Sequence, residues 1–311
     1  MEFISLNQVA PWTEDFFFMP YGDKDELVIC NPQDSVCLAP TFLRSKKTLG
    51  EHIRLVNEKQ IKKAMVVAEN IDFLHQCPSL EELKVYPSFD ALNFDFSSLY
   101  HMPNLHKLFC CTTYGPEESR ISSVDYSKFS SLTELVISGP QGHNNVHLVK
   151  GLRHLAFENG QPVSKTLAGA FNGEELETLS LTASTISSLS GLEQAKKLRR
   201  LELYYNRKLA DISALTLVKD TLTELDIEGC GKIKDFSDLA QLHRLEMLRM
   251  VGNNTLSDLS FIRNMPNLKT FIFRMNVEDG DLSMCLPIPY VSIRNRRHYN
   301  LKDEDFSKVD I

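Results

Sequence analysis

The feature that most constrains this chain is a six-residue phrase repeated in register between Leu176 and Phe273. Leu176-x-x-Leu179-x-Leu181 is followed by Leu198-x-x-Leu201-x-Leu203, Leu222-x-x-Leu225-x-Ile227, Leu245-x-x-Leu248-x-Met250 and Leu268-x-x-Phe271-x-Phe273. The phrases start 22, 24, 23 and 23 residues apart, a period that marks stacked repeat architectures. Three of them continue to Asn206, Cys230 and Asn253 three places on. A stack grows by adding units to one body, so 311 residues require no second globular domain.

Weaker copies extend the pattern towards the amino terminus: Ile61-x-x-Ala64-x-Val66, Leu80-x-x-Leu83-x-Val85, Leu105-x-x-Leu108-x-Cys110, Leu132-x-x-Leu135-x-Ile137 and Leu152-x-x-Leu155-x-Phe157. Their spacing varies because length goes into the connecting loops, such as Thr112 to Arg120 and Gly139 to Asn145, while the hexad is kept. A final copy, Ile288-x-x-Val291-x-Ile293, carries Pro287 and Pro289. Proline lacks an amide donor and suits an edge, so the sheet is expected to finish there. Alternation of apolar and polar residues within each hexad is the pattern of a half-buried strand. Stacking one strand per repeat predicts a parallel sheet of about 11 strands, roughly 50 Å along its curve.

The second half of each repeat has its own wording. Ile186-x-Ser188-Leu-Ser190, Leu209-x-Asp211-Ile-Ser213, Ile233-x-Asp235-Phe-Ser237 and Leu256-x-Asp258-Leu-Ser260 place oxygen acceptors where they can turn the chain and cap a short helical segment. Little room is left for a long helix, so short helices or 3-10 turns are expected on the outer side. These elements predict an α/β solenoid, a horseshoe with a concave parallel sheet and a convex side of short turns. Residues 1–60 are expected to be an amino-terminal cap over the exposed end of the stack, 61–286 the repeats, and 287–311 a closing strand and tail. Within 1–60, strand-like fragments such as Glu26-Leu-Val-Ile29 and Ser35-Val-Cys-Leu38 are broken by Pro32, Pro40 and Gly50.

The combination Leu-x-x-Leu-x-Leu-x-x-Asn/Cys with Ile/Leu-x-Asp-x-Ser-x-Leu resembles the leucine-rich repeats of the internalin-like class, shared by bacterial proteins and by the Sds-type phosphatase regulators. The resemblance covers about residues 61–293. It implies a leucine-rich-repeat fold and a bacterial cytosolic protein, and it says little of function, because this fold holds many unrelated partners.

Bulk properties narrow the function classes. A net charge of −7 and a pI near 5.8 argue against general nucleic-acid binding, which needs a surplus of Lys and Arg. Seven cysteines without a CxxC pair read as buried apolar residues in a reducing compartment. The opening MEFISLNQVAPWTEDFFFMP has no basic leader, and no stretch reaches the roughly 20 apolar residues that cross a bilayer. A cytoplasmic location is expected, with no membrane partner.

No nucleophile elbow, phosphate-binding loop or zinc-protease helix is present, so the chain is expected to be non-enzymatic and to need no cofactor. His143 and His147 stand four apart in a Gly-flanked loop, which is a poor metal site, so no metal is expected. Cys110 should point inward and Cys111 towards the concave face, as a packed thiol without a base.

The register identifies the positions that line the concave face. Counting the first Leu as one, the fifth, seventh and eighth places project there. Tyr86, Phe109, Cys111 and Val136 should form an apolar patch. Further along, Glu202, Asp226 and Glu228 gather beside Tyr204 and Tyr205, with Glu158 earlier, and Arg249 and Arg274 follow. Like charges across adjacent strands repel, which suits a cationic partner better than a folding role, although Glu228 with Arg249 could pair internally. Tyr beside acids is a common interface anchor. The expected function is therefore a non-enzymatic scaffold that binds a protein with a basic surface, through Tyr204, Tyr205, Glu202, Asp226, Glu228, Glu158, Arg249, Arg274, Tyr86 and Phe109. Such a scaffold could act as an immunity protein that neutralises a toxin or regulates an enzyme. An enzyme or small-ligand site between the cap and the repeats is one alternative, and a surface adhesin another.

Overall fold

In the computed structural model, residues 12–19, 25–30, 44–88, 91–112 and 120–309 are described. They fall into two compact units, Met1–Val149 and Lys150–Ile311.

The carboxy-terminal unit shows most directly how the hexad makes the fold. Its strands are His154–Glu158, Thr178–Thr182, Arg200–Tyr204, Glu224–Glu228, Met247–Leu256, Thr270–Val277 and Tyr290–Ile293, paired in parallel in chain order. The hexad apolar positions come into register as rows. Leu179, Leu201, Leu225, Leu248, Phe271 and Val291 form one row, and Leu181, Leu203, Ile227, Met250, Phe273 and Ile293 the next. These side chains are buried. A single leucine would gain about 1.5–3 kcal/mol from burial, and the parallel register multiplies that gain along the stack.

Short 3-10 turns at Leu192–Gln194, Ser213–Val218, Ser237–Gln241 and Ser260–Asn264 return the chain between strands. The Asp-x-Ser wording places them. Asp211 Oδ1 accepts from the Ser213 amide at 2.9 Å, Asp235 from Ser237 at 2.8 Å and Asp258 from Ser260 at 2.7 Å, while Ser188 Oγ serves Ser190 at 3.1 Å. The Asn206 side chain is fully buried, donating to the Leu181 carbonyl and accepting from both the amide and hydroxyl of Ser184. The equivalent residue one repeat on is Cys230, and in the next it is Asn254, which donates to the carbonyls of Cys230 and Ile233. Asn253, the position expected from spacing, is exposed. The register between strands Met247–Leu256 and Thr270–Val277 shifts between Val251 and Thr255, which moves the buried amide one place along.

At the carboxy-terminal edge, the amides of Val291 and Ile293 donate to the Ser307 carbonyl and to Asp303 Oδ1. Tyr299 and Phe306 are buried there, so the last strand's edge is occupied by the chain's own tail.

In the amino-terminal unit, strands Lys63–Ala68, Glu82–Pro87, Lys107–Cys111 and Glu134–Ser138 carry the weaker hexads and pair in parallel. The sheet also recruits segments upstream of the repeats. Leu27–Cys30 pairs parallel to Lys63–Ala68, and Phe17–Phe18 pairs antiparallel outside it. Helix Leu49–Lys59 follows a capping box in which Thr48 Oγ1 accepts from the Glu51 amide and Glu51 accepts from the Thr48 amide. Gly50, expected to break structure, lies in this helix's first turn, where the capping box rather than residue propensity fixes the backbone. The fragment Ser35 to Leu38, with Cys37, lies outside the described residues, and the remaining six cysteines are buried.

Candidate interaction surface

The face of the carboxy-terminal sheet opposite the 3-10 turns carries the residues singled out by register. The fifth places run Ala156, Ser180, Glu202, Asp226, Arg249, Ile272, and the seventh run Glu158, Thr182, Tyr204, Glu228, Val251, Arg274, each paired strand to strand. Glu202, Tyr204, Asp226, Glu228 and Arg249 therefore sit on three neighbouring strands at about 4.8 Å spacing. Glu158 lies two strands before this cluster and Arg274 on the strand next to Arg249, and neither bonds to its members among the described contacts.

The cluster is a network. Arg249 donates from Nη1 to Asp226 Oδ1 at 2.8 Å and from Nη2 to Glu228 Oε2 at 2.6 Å. Tyr204 donates its hydroxyl to Asp226 Oδ2 at 2.9 Å, and Tyr205 donates to Glu228. Burial, reinforced by the Asp226 carboxylate, raises the Tyr204 pKa, so the phenol stays protonated as a donor. The Tyr205 hydrogen bond, with help from Arg249, lowers the Glu228 pKa. These contacts correct the expectation that the acids lack a folding role: Arg249 neutralises two of them directly. Asp226 is only 6% exposed, so it supports Tyr204 and Arg249 from below and is not a contact residue.

Tyr205 is different. It follows the strand in the left-handed region at φ 55°, uncommon for a bulky residue, and is 51% exposed. Its ring lies directly over Gly229, where an added Cβ would stand 2.6 Å from Tyr205 Cδ1. Only glycine at 229, itself at φ 68°, admits the ring.

Arg200 was missed by register counting that began at the fifth place. Side chains alternate with period two, so the third place shares this face. Arg200 bonds Glu202 at 2.8 Å through Nε and Glu224 at 2.8 Å through Nη1. Four carboxylates, Glu202, Glu224, Asp226 and Glu228, are thus shared by two guanidiniums, which leaves a residual negative charge.

The same face in the amino-terminal unit has an apolar centre beside ion pairs: Lys84 bonds Glu26 at 2.8 Å, and Lys63 and Lys107 flank Glu82. Val28, Cys30, Met65 and Val67 form a buried cluster against which Phe17, Met19 and Tyr86 pack. The rings of Tyr86 and Phe109 lie 4.9 Å apart, both half-buried. Cys111, expected on this face as a packed thiol, is 1% exposed. His143 sits half-buried with Nδ1 2.9 Å from the Tyr126 hydroxyl, and burial takes its pKa down to about 4. His147 is exposed on the next turn. Among the described residues no group of three or more His, Cys, Asp or Glu is placed to hold a metal, and no helix is long and apolar enough to cross a membrane.

No protein-family model matches the chain. A leucine-rich-repeat protein of Leptospira interrogans superposes with a TM-score of 0.51 at 16% identity, covering 78% of this chain and 68% of that one. The fold is a leucine-rich repeat. A chain of the mouse RP105/MD-1 complex superposes with a TM-score of 0.50 at 14% identity, over 74% of this chain and 45% of its own. An internalin of Listeria monocytogenes aligns over 79% of this chain and 78% of its own at 17% identity, with a TM-score of 0.47. Among curated proteins, the disease resistance protein RRS1 of Arabidopsis thaliana is 25% identical over 182 residues. That match covers 56% of this leucine-rich-repeat chain but spans only 12% of the relative's length.

Proposed function

We propose that this chain is a non-enzymatic protein-binding scaffold that holds its partner on the open sheet face of the carboxy-terminal unit. Tyr205 carries the reading. A half-exposed tyrosine in a left-handed backbone conformation, seated on a glycine and tethered to Glu228, is already ordered before a partner arrives. Binding then loses little side-chain freedom, and a large amphipathic ring is offered to the solvent. The excess of carboxylates over guanidiniums around it favours a partner that presents Lys or Arg, as expected of a protein that neutralises or regulates a basic target. Assembly with another protein also appears in the name of one structural neighbour, the RP105/MD-1 complex.

The test is capture from the native host with the wild-type chain, a face variant combining Tyr205→Ala with Glu202→Gln, and a control altered at exposed Lys232. A protein retained by wild type and control is then purified and its affinity measured. The face variant should bind it at least about tenfold more weakly while melting at nearly the same temperature, as expected of an interface anchor. Equal affinity for all three chains would rule the face out.

A further inference from the structure

A second patch of the carboxy-terminal unit has the opposite sign. Where the strands Thr178–Thr182, Arg200–Tyr204, Glu224–Glu228 and Met247–Leu256 begin, a groove of about 250 Å³ is lined by Lys196, Lys197, Arg199 and Arg244, with Glu177, Asp220, Thr221 and Thr223. Its acids are already engaged. Glu177 is held by Arg153 at 2.7 Å, and Asp220 faces His243 at 3.6 Å. Among the cations, Lys197 is paired with Glu175 at 2.6 Å. Lys196, Arg199 and Arg244 are exposed and form no ion pair among the described residues. Arg199 and Arg244 do act at a distance on Glu177 and Glu246, but closer cations, Arg153 and Lys269, satisfy those carboxylates.

Three cations outside any ion pair gathered at one rim, in a chain of net charge −7, repel one another and add only a long-range attraction to carboxylates that closer cations already hold. We propose that this rim is a docking groove for an acidic, carboxylate-rich peptide segment. The interleaved carboxylates of Glu177 and Asp220 oppose a continuous polyphosphate backbone, whereas separate Asp or Glu side chains fit between them. Arg199 precedes Arg200, which belongs to the tyrosine and carboxylate network, so patches of opposite sign adjoin. If the protein-binding reading above holds, the two patches orient the partner: its basic part lies over Glu202 and Tyr205, and its acidic part on the rim.

A labelled oligoglutamate peptide tests the groove by fluorescence anisotropy at low ionic strength, alongside an oligothymidylate of matching charge. Wild type should bind the peptide more tightly than the oligonucleotide. Lys196→Glu combined with Arg199→Glu and Arg244→Glu should weaken peptide binding by more than about tenfold, the neutral Gln triple should give an intermediate loss, and all should retain wild-type melting. Tyr205→Ala with Glu202→Gln should leave peptide affinity unchanged. Unchanged affinity in the Glu triple, a preference for oligothymidylate, or loss in the Tyr205 variant would each overturn the groove. None of these outcomes bears on the capture test of the sheet face, so the two readings fail separately.

Discussion

The amino-terminal and carboxy-terminal units carry the same hexad yet use the opposite sheet face in contrasting ways. In the former, fifth- and seventh-place residues Met65 and Val67 are buried in an apolar cluster with Val28 and Cys30. In the latter, the same places hold Glu202, Asp226, Tyr204 and Glu228, tied to Arg200 and Arg249. The interior half of the hexad is constrained by stacking in both. The other half is free to vary, and it either adds to the core or stays wet. An apolar face contributes to stability by leaving water, while a charged face gains little net energy from its pairs and keeps its groups available to a partner.

The strongest way to break this contrast is to truncate equivalent positions. Met65→Ala removes a 5% exposed side chain and should cost about 2–5 kcal/mol of unfolding free energy, whereas Glu202→Gln should cost less than about 1 kcal/mol. Urea unfolding of the two variants measures both. Similar costs would mean that the two faces do the same job.

Acid titration gives the next largest effect; both units hold carboxylates with lowered pKa values, such as Asp95 and Asp125 in the amino-terminal one, but the loss nearer neutrality arises from its buried histidines. His143 in the amino-terminal unit has a pKa lowered to about 4 by burial, against about 6.5 in the unfolded chain. Between those values the unfolded chain binds more protons. The contribution is therefore fully present above about pH 6.5 and is lost as pH falls towards 4, amounting to up to about 3 kcal/mol. His52, buried in helix Leu49–Lys59, has its pKa lowered by desolvation and acts in the same direction. In the carboxy-terminal unit, Asp211, Asp235 and Asp258 have lowered pKa values because of hydrogen bonds from Ser213, Ser237 and Ser260. Their contribution is lost only below about pH 4, as pH falls through the folded values. His143→Gln should flatten the slope of stability between pH 6.5 and 4 and leave the steeper loss below it. An unchanged slope would show that His143 is not the group responsible.

Much of this was legible in the residues. Every hexad lies on a strand, and the Asp-x-Ser phrases sit at the turns, because both patterns are local and recur from repeat to repeat. The helix Leu49–Lys59 was not, since its start depends on a reciprocal bond between Thr48 and Glu51 and not on repeat spacing. Asn254 was missed because a single shift in strand register defeats counting. For the candidate surface, spacing identified the tyrosines and acids as neighbours but could not show which partners they keep. Arg200 lies one period-two step before the counted places, and extending the alternation back by two residues would have found it. That Asp226 is buried follows from the packing of Tyr204 and Arg249 above it, which no single repeat encodes.

A smaller effect tests whether the charged network is structural at all. Arg249→Met leaves Asp226, largely buried, with the Tyr204 hydroxyl as its one side-chain partner among the described residues, and should cost about 2 kcal/mol, below the roughly 3–5 kcal/mol of a fully buried pair because Arg249 is partly solvated. Adding Asp226→Asn should recover part of that loss, since the uncompensated charge is then gone. If the double variant is no more stable than Arg249→Met alone, the ion pair is not what the cluster depends on.

The smallest expected change is the most informative about recognition. Tyr205→Phe removes the hydroxyl bond to Glu228 but keeps the ring over Gly229, and because the hydroxyl reaches solvent its loss should leave the melting temperature nearly unchanged. Gly229→Ala leaves the hydroxyl in place and drives a methyl group into the ring. If the surface works through a pre-positioned aromatic ring, Gly229→Ala should weaken partner binding more than Tyr205→Phe does. The opposite order would mean that the hydrogen bond to Glu228, and with it the charge of the cluster, matters more than the position of the ring. Comparing partner affinity with melting temperature for the two single variants decides between them, because neither change touches the stacked leucines on the other side of the sheet.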